Sequence, residues 1–508
     1  MSGIRINILA NFAGQAWSAL MTLALVPVYI KFLGIEAYGL IGFYAMLQGI
    51  LVVLDFGLGQ TLNRELARYS AMPEKAGDAR NLVRTLEVGY WAIGIALGTA
   101  LLMAAPSIAG HWIKADAIPA NVIRQTVMTM GIVVALQWPI SFYQSGLMGL
   151  QQQALLNSIQ IAMSTFNAIG VLLIMWLVSS TITAFFAWQI VSGGASVMLS
   201  AFFLWRRLPP APFRPRLTPY LIRDVWRFAA GLSGITLSAT ILTQLDKAIL
   251  SNLLSLEMFG YYTLAGVVAK GLYMFITPVF NALFPRFSAL AAAGDHATLA
   301  RLYRQGSQLM ATLVLPMAAV LALFSYDVLL LWTRSTETAT NTSPIASILV
   351  IGTALNGLMN LPYALQLAYG WTSIGLRINI LFIITLVPAI FFMATYYGAA
   401  GAATVWVALN GIYMLVGVPL THRRLLRGEA GRWFVEGVVM PLSAVLLVVG
   451  SGRWLMTIPT SPTMTLVSLL TVLFAALAAA ALATPQIRSW LLFGCRKQYQ
   501  SMLKRLTA

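Results

Sequence analysis

The stretch KFLGIEAYGL, residues 31–40, lies between two apolar runs and is echoed by NLLSLEMFGYY, residues 252–262. Each sets a Glu three residues before a Gly, so Glu36 maps onto Glu257 and Gly39 onto Gly260, both at an offset of 221. The same offset carries Gly149 of GLMGLQQQ onto Gly370 of LAYGWTS, Gln15 onto Thr236 and Thr22 onto Thr243. LNRELARYSA and LFPRFSALAA correspond after a one-residue slip, which pairs Arg64 with Arg286. Agreement on a single offset points to an internal duplication. With six spans per half, an even number, both halves enter the membrane in the same sense. They are then related by a pseudo-two-fold axis along the membrane normal, with a central cavity between them.

Composition sets the medium. Hydrophobic residues make up 59% of the 508 and charged residues only 9%, against roughly 25% charged in a water-soluble domain. The chain is therefore read as an all-α, polytopic membrane protein. A span needs about 20 apolar residues to cross about 30 Å of hydrocarbon, and about fourteen such runs are expected. They include 38–62, 228–250, 258–284, 377–397, 401–421, 435–455 and 464–484. The expected organisation is an N-terminal lobe at 1–210, a C-terminal lobe at 211–427, and an extra helix pair with a tail at 428–508.

Most of the 32 Lys and Arg fall in alternate loops, among them Arg64, Arg68, Lys75, Arg80 and Arg84, then Arg423, Arg424 and Arg427. The positive-inside rule then puts both termini in the cytoplasm. The +17 formal charge arises from residues flanking spans one by one. That pattern suits contact with membrane lipid headgroups and excludes nucleic-acid binding. A single cysteine, Cys495, rules out an intramolecular disulfide, and His111, His296 and His422 are scattered through loops. No metal or cofactor is expected, and the first seven residues carry no cleavable-signal pattern.

Helical spacing shows which faces avoid lipid. Asn11, Gln15, Ser18, Thr22 and Tyr29 form one stripe on the first span; Ser233, Thr236, Thr240, Thr243 and Lys247 repeat it on the seventh. The second span carries Tyr44, Gln48, Asp55 and Gly59, and the eighth carries Thr263, Gly266, Lys270, Tyr273 and Thr277. These four stripes read as cavity-lining. Gln137 and Gln144, Gln160 and Asn167, and Asn356 and Asn360 on other spans read equally well as helix-to-helix hydrogen bonding.

Among the charges, Asp55 lies inside the membrane in LDFGLGQTLNR (54–64), where an unpartnered carboxylate costs about 2.5–3.5 kcal/mol. Arg64 is nine residues on, two and a half turns, and so falls on the opposite face of a continuous helix. Lys270 is too deep to snorkel easily and is expected to face the cavity and touch substrate. Asp246 and Lys247 read as a structural ion pair or as cavity residues. Arg64 and Arg286 read as topological charges or as phosphate contacts.

NILANFAGQ, YIKFLGIEAYGLIGFY, LDFGLGQTLNRELAR and QLDKAILSNLLSLEMFGYY together resemble the Wzx-type polysaccharide flippases of the multidrug/oligosaccharidyl-lipid/polysaccharide exporter superfamily. The likeness covers residues 7–85 and 230–290. It implies a V-shaped, two-lobed inner-membrane transporter. Such a protein turns undecaprenyl-diphosphate-linked oligosaccharide units from the cytoplasmic to the periplasmic leaflet by alternating access, alongside a polysaccharide polymerase and export machinery. Such flippases usually have twelve spans. Fourteen resembles the peptidoglycan lipid-precursor flippase, whose extra pair shapes a groove for the lipid tail, although that relative's arginine-bearing first span is absent here. Lys270, Lys247, Arg64 and Arg286 outnumber Asp55 and Asp246, which suits an anionic cargo, while Asn, Gln and Thr suit sugar hydroxyls. The alternatives are a drug or cation antiporter, which would want a carboxylate in the first span, and a membrane glycosyltransferase or polymerase. No nucleophile, base and acid cluster supports the last.

Overall fold

The computed structural model describes residues 2–70, 72–218, 240–455 and 461–490, with the side chains of 2–13, 15, 73 and 372–380 left aside. Apolar runs rich in Leu, Ala, Ile and Val become helices because a helix alone satisfies its backbone polar groups without a partner. Among the described residues, twelve stretches are long and apolar enough to cross a membrane. One of them, Leu381–Leu425, covers most of the expected span 377–397 and all of 401–421. They are separated by a non-helical Gly398 (φ 61°). Most of the expected span 228–250 lies outside the described residues, and only its end, a helix at 240–253 that we label α9, is seen.

The contacts divide the chain into two units, Met1–Gly260 and Tyr261–Ala508. The first unit holds α1 (Ser2–Leu33), α2 (Ile35–Leu51), α3 (Leu58–Ser70), α4 (Ala76–Ser107), α5 (Ala120–Gln137), α6 (Ile140–Gly149), α7 (Gln153–Leu177) and α8 (Ile182–Arg207). α4 lies along α5 at small residues: a Cβ on Gly98 would come within 2.6 Å of the Gly131 carbonyl, and one on Gly131 within 2.8 Å of the Gly98 carbonyl. Backbones approach this closely only where neither helix carries a side chain.

α9 and the start of α10 (Leu256–Lys270) belong to this unit because the loop after α4 ties them down. The Leu256 N–H donates to the Lys114 carbonyl at 2.6 Å, and Trp112 Nε1 to Ser251 Oγ at 3.0 Å. The Glu36 carboxylate in turn accepts the N–H groups of Asp116 and Ala117. The duplicated glycines meet here reciprocally. A Cβ on Gly39 would run into the Leu256 carbonyl oxygen, and one on Gly260 into the Ile35 carbonyl oxygen.

Expected spans 38–62 and 258–284 are not continuous helices. The first breaks at residues 52–57, where a short 3-10 turn leads to Phe56 (φ 48°) and Gly57 (φ 75°) before α3 begins. The second breaks after Lys270, and α11 (Tyr273–Ala292) follows. The two breaks fall at corresponding places in the repeat, about 16 residues into each helix.

The second unit is built around α12 (His296–Leu323), which packs against α11, α14 (Thr336–Ala368), α18 (Met440–Leu455) and α19 (Pro462–Ala483). α13 (Ser325–Thr333), α15 (Thr372–Ile412), α16 (Val418–Leu425) and α17 (Glu429–Phe434) complete it. Polar bonds fasten the terminal pair to α12 along its length. Arg304 pairs with Glu429 (3.3 Å), Gln308 Nε2 donates to Glu436 (3.0 Å), and Thr312 contacts Thr484 (3.3 Å). At the far end Arg453 pairs with Asp327 on α13 (3.0 Å). Large apolar side chains face outward, with Trp454 86% and Leu447 71% exposed, as suits a surface solvated by lipid tails.

Candidate transport site

α5 ends at Gln137 because Trp138 and Pro139 follow, and the chain restarts as α6. Proline lacks an N–H for the ladder, so the helix breaks just after Gln137, whose amide bonds to neighbouring helices. Tyr44 Oη donates to Gln137 Oε1 at 2.9 Å; Gln48 Nε2 donates to the same oxygen at 3.2 Å and to the Tyr44 hydroxyl. Gln137 Nε2 reaches the Gln189 carbonyl at 3.5 Å, and Gln189 Nε2 donates to Asn167 Oδ1 at 3.2 Å. One amide chain thus links α2, α5, α8 and α7.

This chain forms one side of an open cavity of about 550 Å³ within the first unit. Gln137, Gln144, Gln160, Asn167 and Gln189 supply amides, and Ser18, Ser192 and Ser196 supply hydroxyls. Ile140, Ile159 and Met163 add apolar surface, and among the described residues no ionisable side chain lines it. Gly193 lets α8 approach, since a Cβ there would lie 2.8 Å from the Gln137 side chain. Convergent amides and hydroxyls over an apolar floor can donate to and accept from hydroxyl groups while leaving charge unrecognised.

The acidic groups stand apart from this lining and are satisfied. Asp55 caps α3, accepting the Gly59 N–H at 3.3 Å, and accepts the Tyr90 hydroxyl as well; its partner is not Arg64, which pairs with its neighbour Glu65 at 2.6 Å. The helix break explains this arrangement: a carboxylate at a new N-terminus meets unpaired N–H groups and the positive end of the helix dipole. Glu87, which the sequence did not bring forward, is buried and accepts Tyr143 Oη (2.8 Å), Trp205 Nε1 (3.0 Å) and Arg84 (2.9 Å).

The other expected site residues separate. Gln48 joins the amide chain. Lys247 donates to the Thr243 carbonyl at 2.6 Å and pairs with Asp246 at 3.1 Å. Lys270 occupies the last turn of α10, where a cation meets the negative end of a helix dipole, and its side chain is exposed. Arg286 is exposed on α11. Thr236 and the side chains of Asn11 and Gln15 lie outside the described residues. Asn356 bonds Tyr273 Oη (2.8 Å) and Asn410 (3.0 Å), which is helix-to-helix bonding. The Gln189, Ser192 and Ser196 stripe was missed, although its spacing of three and four marks one helical face.

Long apolar helices, with breaks at matching places in a repeat and a polar cavity among them, define a multi-pass membrane protein. The chain belongs to the family described as polysaccharide biosynthesis protein, which matches residues 4–291. It is 22% identical over 400 residues, 79% of this chain and 93% of the relative, to a protein of Shigella flexneri named "Putative O-antigen transporter". Its fold is similar to an inward-facing multidrug resistance MATE transporter of the MOP superfamily, with TM-score 0.68 and 15% identity over 80% of this chain and 94% of that one. It is also similar to the lipid II flippase MurJ in an inward closed conformation, with TM-score 0.68 and 13% identity over 94% of this chain and 98% of that one.

Proposed function

We propose that the protein is a flippase that turns undecaprenyl-diphosphate-linked oligosaccharide units from the cytoplasmic to the periplasmic leaflet of a bacterial inner membrane, its termini cytoplasmic, by alternating access. The observation that carries this reading is the amide and hydroxyl lining of the first unit's cavity, which suits sugar hydroxyls and, among the described residues, holds no carboxylate to pair with a drug cation. Gln48 belongs to that lining's network, and Asn11, Gln15 and Thr236, on the repeated stripes of the sequence, are assigned to the same sugar-contacting role. Lys270, Arg64, Arg286 and Lys247 are assigned to the diphosphate, an anion that calls for cations, with Asp55 and Asp246 holding those helices in place. The polyprenyl tail stays in lipid, because only the headgroup gains from a wet route. A polysaccharide polymerase and export machinery are the partners this function would feed.

The test is complementation of a flippase deletion with Gln137→Ala, Gln189→Ala and Lys270→Ala, scoring surface polysaccharide against protein level. Loss of polysaccharide at normal protein level is expected for each. Full polysaccharide in the Gln137→Ala, Gln189→Ala double variant would remove the cavity from the pathway.

A further inference from the structure

A second cavity, about 430 Å³, opens in the second unit and shares no lining residue with the sites assigned above; His296, Tyr369, Gly370, Trp371, Arg424 and Leu425 line it. It gathers the start of α12, the turn between α14 and α15, and the end of α16. The Arg424 guanidinium lies 4.4 Å from the centroid of the Trp371 ring. His296 Nδ1 and Tyr369 Oη are 2.9 Å apart, and their rings stack within 5° of parallel.

From these contacts we infer a binding site for a phosphate group carried by a lipid. Stacking holds the guanidinium by its face and leaves its N–H edge for a planar or tetrahedral oxyanion. Among the described residues no carboxylate lines the cavity and none pairs with Arg424. The nearest acid in sequence, Asp295, is turned to its own helix: Oδ1 accepts the Thr298 N–H at 3.0 Å, and that bond holds its carboxyl below the usual carboxylate range. α15 begins one residue past Trp371, so its positive end lies beside the cavity. Trp and Tyr rings at such a place match the headgroup level of a bilayer.

The duplication shows that this site is an addition. The turn after α6 has the same backbone pattern, with Gln151 (φ 58°) where Gly370 (φ 66°) stands, so the places of Tyr369 and Trp371 are held in the first half by Leu150 and Gln152. A turn kept in both halves carries phosphate-binding side chains in only one, so the fold alone does not require them.

Two lipids present this chemistry: an anionic phospholipid and a prenyl diphosphate. The test uses the purified full-length chain in nanodiscs, with retention of phosphatidylglycerol read by native mass spectrometry and geranyl diphosphate binding read by titration. Arg424→Ala and Trp371→Ala should weaken at least one probe about tenfold, while Arg423→Ala leaves both unchanged. A loss confined to phosphatidylglycerol assigns the site to a resident lipid, and a loss confined to geranyl diphosphate assigns it to a diphosphate cargo. Unchanged binding of both probes in Arg424→Ala and Trp371→Ala overturns the assignment. Because binding is measured without transport, failure of the flippase reading leaves this result standing.

Discussion

The reciprocal contact of the two repeated glycines can be tested by adding one carbon. A Cβ on Gly39 meets the Leu256 carbonyl oxygen and one on Gly260 meets the Ile35 carbonyl oxygen, about 1 Å short of the roughly 3.5 Å at which carbon contacts become favourable. The obstacle is backbone on both sides, so no side chain can swing away and a whole helix must shift. Overpacking typically costs about 1–3 kcal/mol, and a rigid backbone obstacle belongs at the upper end. At about 2 °C per kcal/mol for a unit of this size, Gly39→Ala and Gly260→Ala should each lower the melting midpoint by roughly 6 °C. The quasi-symmetry demands that the two losses be similar. Gly266, on the same α10, has nothing within 4 Å of its added Cβ, so Gly266→Ala should hold or raise the midpoint, by up to about 1 kcal/mol of helix propensity. Fluorescence-detected size-exclusion after heating, in one detergent, measures all three. If Gly39→Ala melts with Gly266→Ala, the close approach of α2 and α10 is wrong.

Three further expectations follow from buried or capping carboxylates. Asp55→Ala and Tyr90→Phe should each destabilise, and their double-mutant cycle should show about 0.5–3 kcal/mol of coupling; strict additivity would deny the bond. Glu87→Ala strands the Tyr143 hydroxyl and the Trp205 N–H, at about 1–3 kcal/mol each, whereas Glu87→Gln keeps an acceptor and should lose much less in the same melt. Asp327, outside the spans, has its carboxyl pushed up by burial, against the pull of Arg453. The folded chain therefore takes up that proton before the unfolded chain does, and stability should rise as pH falls from the raised value toward the ordinary carboxylate range. Asp327→Asn should abolish that rise and lose no stability at pH 7; a marked loss at pH 7 would mean that the Arg453 pair outweighs desolvation.

Polar stripes in the sequence marked candidates more widely than the structure uses them. Ser18 on α1 and Gln48 on α2 do join the amide-lined cavity or its network, while Asn356 turns to Tyr273 and Asn410 instead. Spacing could not separate the two outcomes, because both need the same residue on the same face. The breaks at 52–57 and after Lys270 were hidden for a different reason: hydropathy continues through them, and only Gly57 and Gly271 hint that the ladder stops. Asp55 looked like a costly intramembrane charge on a continuous helix; at the start of a new one it is a cap.

Sequence by itself determined that this chain lives in lipid and is all-α, and it carries the offset that points to a duplication. Hydropathy, helical periodicity and a constant 221-residue offset are all properties of the one-dimensional string. Tertiary structure decided where each polar group finds its partner: Glu87 in Tyr143 and Trp205, Gln137 in Tyr44, Arg424 against Trp371. In a low-dielectric interior each such group must be satisfied by something, and the partners that do so lie tens to a hundred residues away along the chain.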